Sequence, residues 1–181
     1  MSIGDPFFGR PLEHLSEEEA HVVLERFLEL GRDGVAHCEN LIATNGVALD
    51  FGQRSLVELF IRVGEVLRFE FRPLPNDLPD WIREAPQHAK GVVEFDDASR
   101  VWILRVAFCL GEFFVRSYPQ LRWAVGDRNF AEHVMPVIAG FKGRMELPPI
   151  VVTEGMFTRV LAHGRSWEQV TTMIKSWQGS V

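Results

Sequence analysis

Residues 97–114 read Asp-Ala-Ser-Arg-Val-Trp-Ile-Leu-Arg-Val-Ala-Phe-Cys-Leu-Gly-Glu-Phe-Phe, and no other stretch constrains the fold as much. At helical spacing, Val101, Leu104, Phe108 and Val115 form one apolar stripe and Trp102, Val106, Cys109 and Phe113 another. A helix apolar on several sides must be packed on several sides, so it belongs at the centre of a core. Asp97 is the expected N-cap, its carboxylate accepting from free N–H groups at the positive end of the helix. A membrane span would need roughly 20 apolar residues nearly free of charge. Arg100, Arg105, Glu112 and Arg116 interrupt this one.

The chain of 181 residues is long enough to bury such a helix within one domain, 1–181. Residues 1–15 hold two prolines and two glycines and read as an irregular arm, pinned by Phe7, Phe8 and Leu12. Ser16 and Glu19 have the spacing of a capping box opening a helix. Val22, Val23, Phe27, Leu28 and Leu30 give that helix an apolar face. Gly31 and Gly34 are read as its terminators, with a second helix over 35–43 ending at Thr44-Asn45-Gly46. Leu56, Leu59, Phe60, Val63 and Leu67 recur at three and four, a helical period. Gly64 within it suggests a close crossing. Residues 73–97 carry four prolines, which forbid a continuous helix or inner strand. They read as a long proline-rich loop.

After Tyr118-Pro119 the pattern changes. Residues 121–125 alternate as a strand does, 134–141 read as a second strand and 146–153 as a third. A helix is expected over 156–161, stopped by His163-Gly164. Another capping box, Ser166 to Gln169, opens a last helix with Val170, Met173, Ile174 and Trp177 facing inward. The predicted class is α+β: a central buried helix against a small antiparallel sheet of about three strands, with flanking helices.

No motif of catalysis stands out. There is no G-x-S-x-G, P-loop or G-x-G-x-x-G pattern. The six histidines make no H-x-x-H or H-E-x-x-H pair, so no metal or other cofactor is expected. His133 beside Glu132 is the most ligand-like group, and a solvated loop is its plainer explanation. Cys38 and Cys109 lie far apart in sequence and read as buried free thiols, Cys109 protonated and inert. Cys38 follows His37, but helix neighbours point in different directions, so no Cys–His dyad is implied. Glu112 is the polar residue with a question attached. Buried, it must be paired or protonated. It is then a structural anchor bonded to an arginine (Arg105 two turns away, Arg122 or Arg128) or to backbone N–H groups, or else a general acid or base in a cleft. The structural role is the expectation. Trp102, Trp123, Trp167 and Trp177 read as core or core-edge aromatics.

Net charge is −6 and unevenly placed. Residues 1–34 hold eight acids against three bases, whereas 141–181 hold five bases against three acids. That balance argues against binding a phosphate backbone, which needs a basic patch. It suits a protein partner with a basic surface. The proline-rich loop can present Asp77, Asp80, Trp81 and Glu84 to such a partner, although Trp81 plugging into the body is the blander alternative. The N-terminus lacks a basic region followed by an apolar run, so a cytoplasmic location is the default expectation, with no membrane and no nucleic-acid partner.

Two stretches together carry a resemblance. Leu49-Asp50-Phe51 with Ser55-Leu56 and Leu59 is one; Leu110-Gly111-Glu112 running on through Tyr118 to Trp123 is the other. In this order they resemble small bacterial α+β domains of uncharacterised function, some encoded beside polymorphic or contact-dependent toxins as immunity proteins. The resemblance spans about residues 47–160. It implies a non-enzymatic domain that binds and neutralises a cognate toxin, and it assigns no catalytic residue. The alternatives are a small-molecule enzyme with a cleft near Glu112 or His133, and a structural subunit of a larger bacterial assembly.

Overall fold

A computed structural model describes residues 15–74, 91–127 and 134–181. The N-terminal arm, most of the proline-rich loop with Asp77, Asp80, Trp81 and Glu84, and Arg128 and His133 lie outside these described residues. Helix α1 spans Glu17–Ala43 and α2 Gln53–Val66. A hairpin of β1 (Phe69–Arg72) and β2 (Val92–Phe95) leads to α3, Asp97–Ser117. Strands β3 (Arg122–Val125) and β4 (Pro136–Ala139) follow. Then come α4 (Pro149–Phe157), extended by a π turn over Thr158–Ala162, and α5 (Glu168–Gln178). The class is α+β.

Helix α3 is the centre. It packs against α1, α2, α4 and the β3–β4 ribbon. From Ile103 to Phe114 only Arg105 and Glu112 escape full burial. Its solvent-facing end begins at Val101, 36% exposed, so the expected stripe through Val101 stops one turn short. The N-cap is Asp96, whose carboxylate accepts from Ser99 N at 2.7 Å. Asp97 sits instead in the first turn, where its charge still complements the helix dipole. Ser99 Oγ in turn accepts from Arg68 N at 2.7 Å and ties α3 to the end of α2.

The capping box at Ser16 is present: Glu19 N donates to Ser16 Oγ at 3.2 Å and Ser16 N to Glu19 Oε2 at 2.8 Å. The helix it opens does not stop at Gly31 or Gly34. Both glycines are buried inside α1 because α3 leaves no room for a side chain. A Cβ on Gly31 would lie 2.2 Å from the Phe108 ring, and one on Gly34 would lie 2.6 Å from Arg105 Cγ. The stripe Phe27, Gly31, Gly34, Cys38, Ile42 is the face that meets α3, so the two expected helices are one. Gly64 behaves the same way against Trp167, at 2.4 Å.

The three-stranded sheet is corrected to two separate two-stranded ribbons. Phe69 pairs with Phe95 in β1–β2, and Trp123 with Ile138 in β3–β4, both antiparallel. The expected third strand touches the second only at Leu147, which exchanges backbone bonds with Ile138 at 2.8 and 3.0 Å. Beyond it the chain turns helical. Pro149 occupies the first position of α4, where its missing N–H and fixed φ favour a helix start, and this outweighs the β-branched Ile150, Val151 and Val152. At the last helix, Ser166 Oγ accepts from Glu168 N at 3.2 Å but forms no capping box, and Trp167 holds the N-cap position.

Candidate functional site

The two stretches that carry the resemblance meet in space. The first is a turn ahead of α2. Asp50 Oδ1 accepts from Gly52 N at 2.8 Å and from Ser55 Oγ at 2.6 Å, an Asx turn closed by the first turn of the helix. These bonds, the Ser55 hydroxyl first, hold the Asp50 carboxyl below the usual carboxylate range. Between them Phe51 is forced to φ +55°, a left-handed conformation that costs an aromatic residue roughly 1–2 kcal/mol. The strain aims its ring at α3, where the Arg116 guanidinium lies 3.8 Å from the ring centroid.

The second stretch is the end of α3 and the start of β3. Trp123 lies against Gly111, where a Cβ would be 2.1 Å from the ring. It stacks on Phe108, planes 8° apart, and meets Phe27 edge-on at 5.5 Å. Its indole Nε1 donates to Glu112 Oε1 at 3.0 Å. Glu112 Oε2 accepts from Arg116 Nε at 2.9 Å. The adjacent pair Gly111-Glu112 therefore has two tasks: one residue makes room for the indole, the other accepts the hydrogen bond of its N–H. Glu112 is 17% exposed and Arg116 55%. Among the described residues its partners are Arg116, one turn on, and Trp123, and neither Arg105 nor Arg122 is bonded to it; Arg128 lies outside the described residues.

Leu28, Arg32 and Val35 of α1 complete a half-open cleft of about 260 Å³ with Phe51, Phe108, Glu112, Arg116 and Trp123. Its walls are mostly apolar, and three charged groups converge at its rim. Each Glu112 oxygen already accepts a hydrogen bond, so the carboxylate acts here as an anchor for the indole and the guanidinium.

On its other flank α1 borders a shallower groove of about 450 Å³ lined by Arg26, Glu29, Leu30, Asp33, Gly34, His37, Val101 and Arg105. The outer ridge of α1 carries Glu18, Glu25, Glu29 and Asp33, all exposed, the last two also on the wall of the second groove. Helix α1 holds seven carboxylates (Glu17, Glu18, Glu19, Glu25, Glu29, Asp33, Glu39) against Arg26 and Arg32, a surplus of five negative charges in a chain of net charge −6. The acidic bias of residues 1–34 is visible in the sequence, and a wheel at 100° per residue gathers Glu18, Glu25, Glu29 and Asp33 onto one face.

Cys38 and Cys109 are both free and buried, as expected, Cys38 on the face of α1 that meets α3 and Cys109 on α3. Among the described residues no group of three His, Cys, Asp or Glu side chains could hold a metal ion, and no helix is long and apolar enough to cross a membrane. No family model, no curated protein and no solved structure matches this chain.

Proposed function

We propose that this chain is a non-enzymatic, cytoplasmic protein-binding domain of the immunity type, which binds a cognate toxin and neutralises it. The observation that carries the reading is the acidic outer ridge of α1 beside the recesses which that helix borders. Glu25, Glu29 and Asp33 follow one another at i, i+4, a like-charge arrangement that costs a helix about 0.2–0.5 kcal/mol per pair. Charge kept there at a cost to the helix has its use outside it. A basic surface, such as the substrate-binding residues of a nuclease-like toxin, would meet the ridge and gain in encounter rate. Side chains of that partner would fill the recesses and supply the packed contacts that carry most of the affinity. The meeting of the two resemblance-bearing stretches at one recess supports the same reading.

Co-expression with the product of the adjacent gene tests it. The expected result is a stable complex that weakens with salt and is lost in the variant Glu25→Lys/Glu29→Lys/Asp33→Lys, which stays folded because all three side chains are exposed. Absence of a complex with the wild-type chain, or an unchanged complex with the triple variant, contradicts it.

The cleft at Glu112 favours a second reading, a small-molecule site, through its apolar walls and the convergence of Arg32, Glu112 and Arg116. A fragment screen followed on the Trp123 indole N–H resonance separates the two: saturable shifts at that resonance without a protein partner belong to the second reading alone.

A further inference from the structure

The cleft at Glu112 holds more positive charge than its own hydrogen bonds occupy. Glu112 is engaged at both oxygens, by Trp123 Nε1 at 3.0 Å and by Arg116 Nε at 2.9 Å. The two arginines are not. Arg32 lines the cleft from α1 and has no hydrogen-bond or ion-pair partner among the described residues. The nearest acids of that helix, Glu29 and Asp33, line the other groove. Arg116 gives only its Nε to Glu112, so Nη1 and Nη2 have no acceptor among the described residues. Two guanidinium groups against one carboxylate leave the lining one positive charge in surplus.

Arg116 is also held in place. Its guanidinium lies 3.8 Å from the centroid of the Phe51 ring, and Phe51 reaches that position through a left-handed backbone at φ +55°. Strain of this kind persists only where the surrounding structure maintains it, and it collects at binding sites. A guanidinium fixed by a ring and by one hydrogen bond presents its other N–H groups in a set direction, which reduces the entropy lost when an acceptor arrives. Beneath the charges the walls are apolar. Leu28 and Val35 come from α1, and the rings of Phe108 and Trp123 stack with planes 8° apart. A cationic ligand is disfavoured, because Arg116 already covers Phe51 and already balances Glu112.

We infer that this cleft binds a small aromatic monocarboxylate, of the size and charge of an arylacetate. Its carboxylate accepts from Arg32 and from the free N–H groups of Arg116, the planar forks suited to two carboxylate oxygens. Its ring packs on the aromatic wall of Phe108 and Trp123. A single negative charge matches the surplus of one. The volume of about 260 Å³ lies below the range of roughly 300–1,000 Å³ typical of sites for drug-sized ligands, which limits the body to one ring or two fused ones. The inference deepens the small-molecule reading of this cleft and rests on it.

The test is titration of the full chain at neutral pH with phenylacetate and with indole-3-acetate, followed on the Trp123 indole N–H resonance. Phenylacetamide, phenethylamine and hexanoate are titrated beside them, to remove the charge, reverse it and remove the ring. Both arylacetates should move the resonance saturably, with a Kd of about 1 mM or tighter. The amide and hexanoate should bind roughly tenfold more weakly, and the amine should not bind. Arg32→Gln, which alters an exposed side chain and so leaves the fold intact, should weaken both arylacetates roughly tenfold without changing the affinity for the amide. The proposal is overturned if the amide, the amine or hexanoate binds as well as the arylacetates, if Arg32→Gln changes nothing, or if neither arylacetate shifts the resonance. The failures are distinguishable: saturable binding of another member of the set removes the aromatic acid and leaves a small-molecule site, whereas no shift from any of the five compounds removes that site as well.

Discussion

The two flanks of α3 are built on opposite principles. Against the Phe27, Gly31, Gly34 stripe of α1 it is sealed. Phe108 fills the space that Gly31 leaves, Phe27 meets Phe108 and Trp123 edge-on, and the interior is apolar apart from two thiols. Toward the Asp50 turn it is open. A strained phenylalanine, a carboxylate and two arginines surround a recess that packing leaves empty. Both flanks use the same helix, and both depend on glycine making room for a ring. The difference lies in what fills the remaining volume. The sealed flank uses it for stability, whereas the open one keeps charged groups fixed at a surface by hydrogen bonds that hold little else together.

That contrast is broken most severely at Gly31. Gly31→Val drives a side chain into Phe108, and the fold should lose about 3 kcal/mol or more in chemical denaturation, despite the gain in helix propensity. A change below about 1 kcal/mol would mean that α1 and α3 are not in close contact.

On the open flank the largest effect is expected at Glu112. Glu112→Ala strands the Trp123 indole N–H and the Arg116 guanidinium, for a loss of about 2 kcal/mol. Glu112→Gln keeps an acceptor for the indole and should cost about half as much. If Gln proves as harmful as Ala, charge pairing with Arg116 outweighs the bond to Trp123.

Two acids then sharpen the comparison by the sign of their pH dependence. Asp50, held below the usual range by Ser55 and Gly52, stabilises the fold while ionised. Its contribution is present above the unfolded pKa of about 3.9 and fades as pH falls through the lower folded value. Asp50→Asn should flatten that acid limb of the stability curve. Glu154, on α4, has its carboxyl raised by burial, with Arg100 opposing only in part. Its ionisation is resisted in the folded state. Stability is therefore greatest below the unfolded pKa of about 4.3 and declines as pH rises through the folded value. Glu154→Gln, the smallest effect of the four, should raise the denaturation midpoint at neutral pH and leave it unchanged near pH 3.

How much of this was legible in the sequence depended on how local the cause was. The burial of α3 was readable because its apolar residues occupy several faces of one short stretch. The Ser16 box and the β3 and β4 strands were readable for the same reason. Gly31 and Gly34 were misread because a glycine that ends a helix and a glycine that admits a neighbour look alike until the neighbour is known, and Phe108 and Arg105 lie more than 70 positions away. Residues 149–153 were misread because β-branched side chains favour a strand while the proline before them favours a helix start. At the cleft, Glu112 was identified but not its partners. Arg116 was available from helical spacing alone, whereas Trp123 required the turn at 118–121 to fold back. The strain at Phe51 leaves no mark in composition or period.

The account rests on α3 being committed to the interior, which leaves the outer face of α1 and the Glu112 cleft to make contacts. Native-state hydrogen exchange on the full chain measures that directly. Amides from Ile103 to Phe114 should be the slowest in the protein, exchanging only through global unfolding, while those of the Asp50–Gly52 turn and the β1–β2 hairpin exchange through smaller openings. Amides within 103–114 exchanging as fast as the hairpin would contradict it.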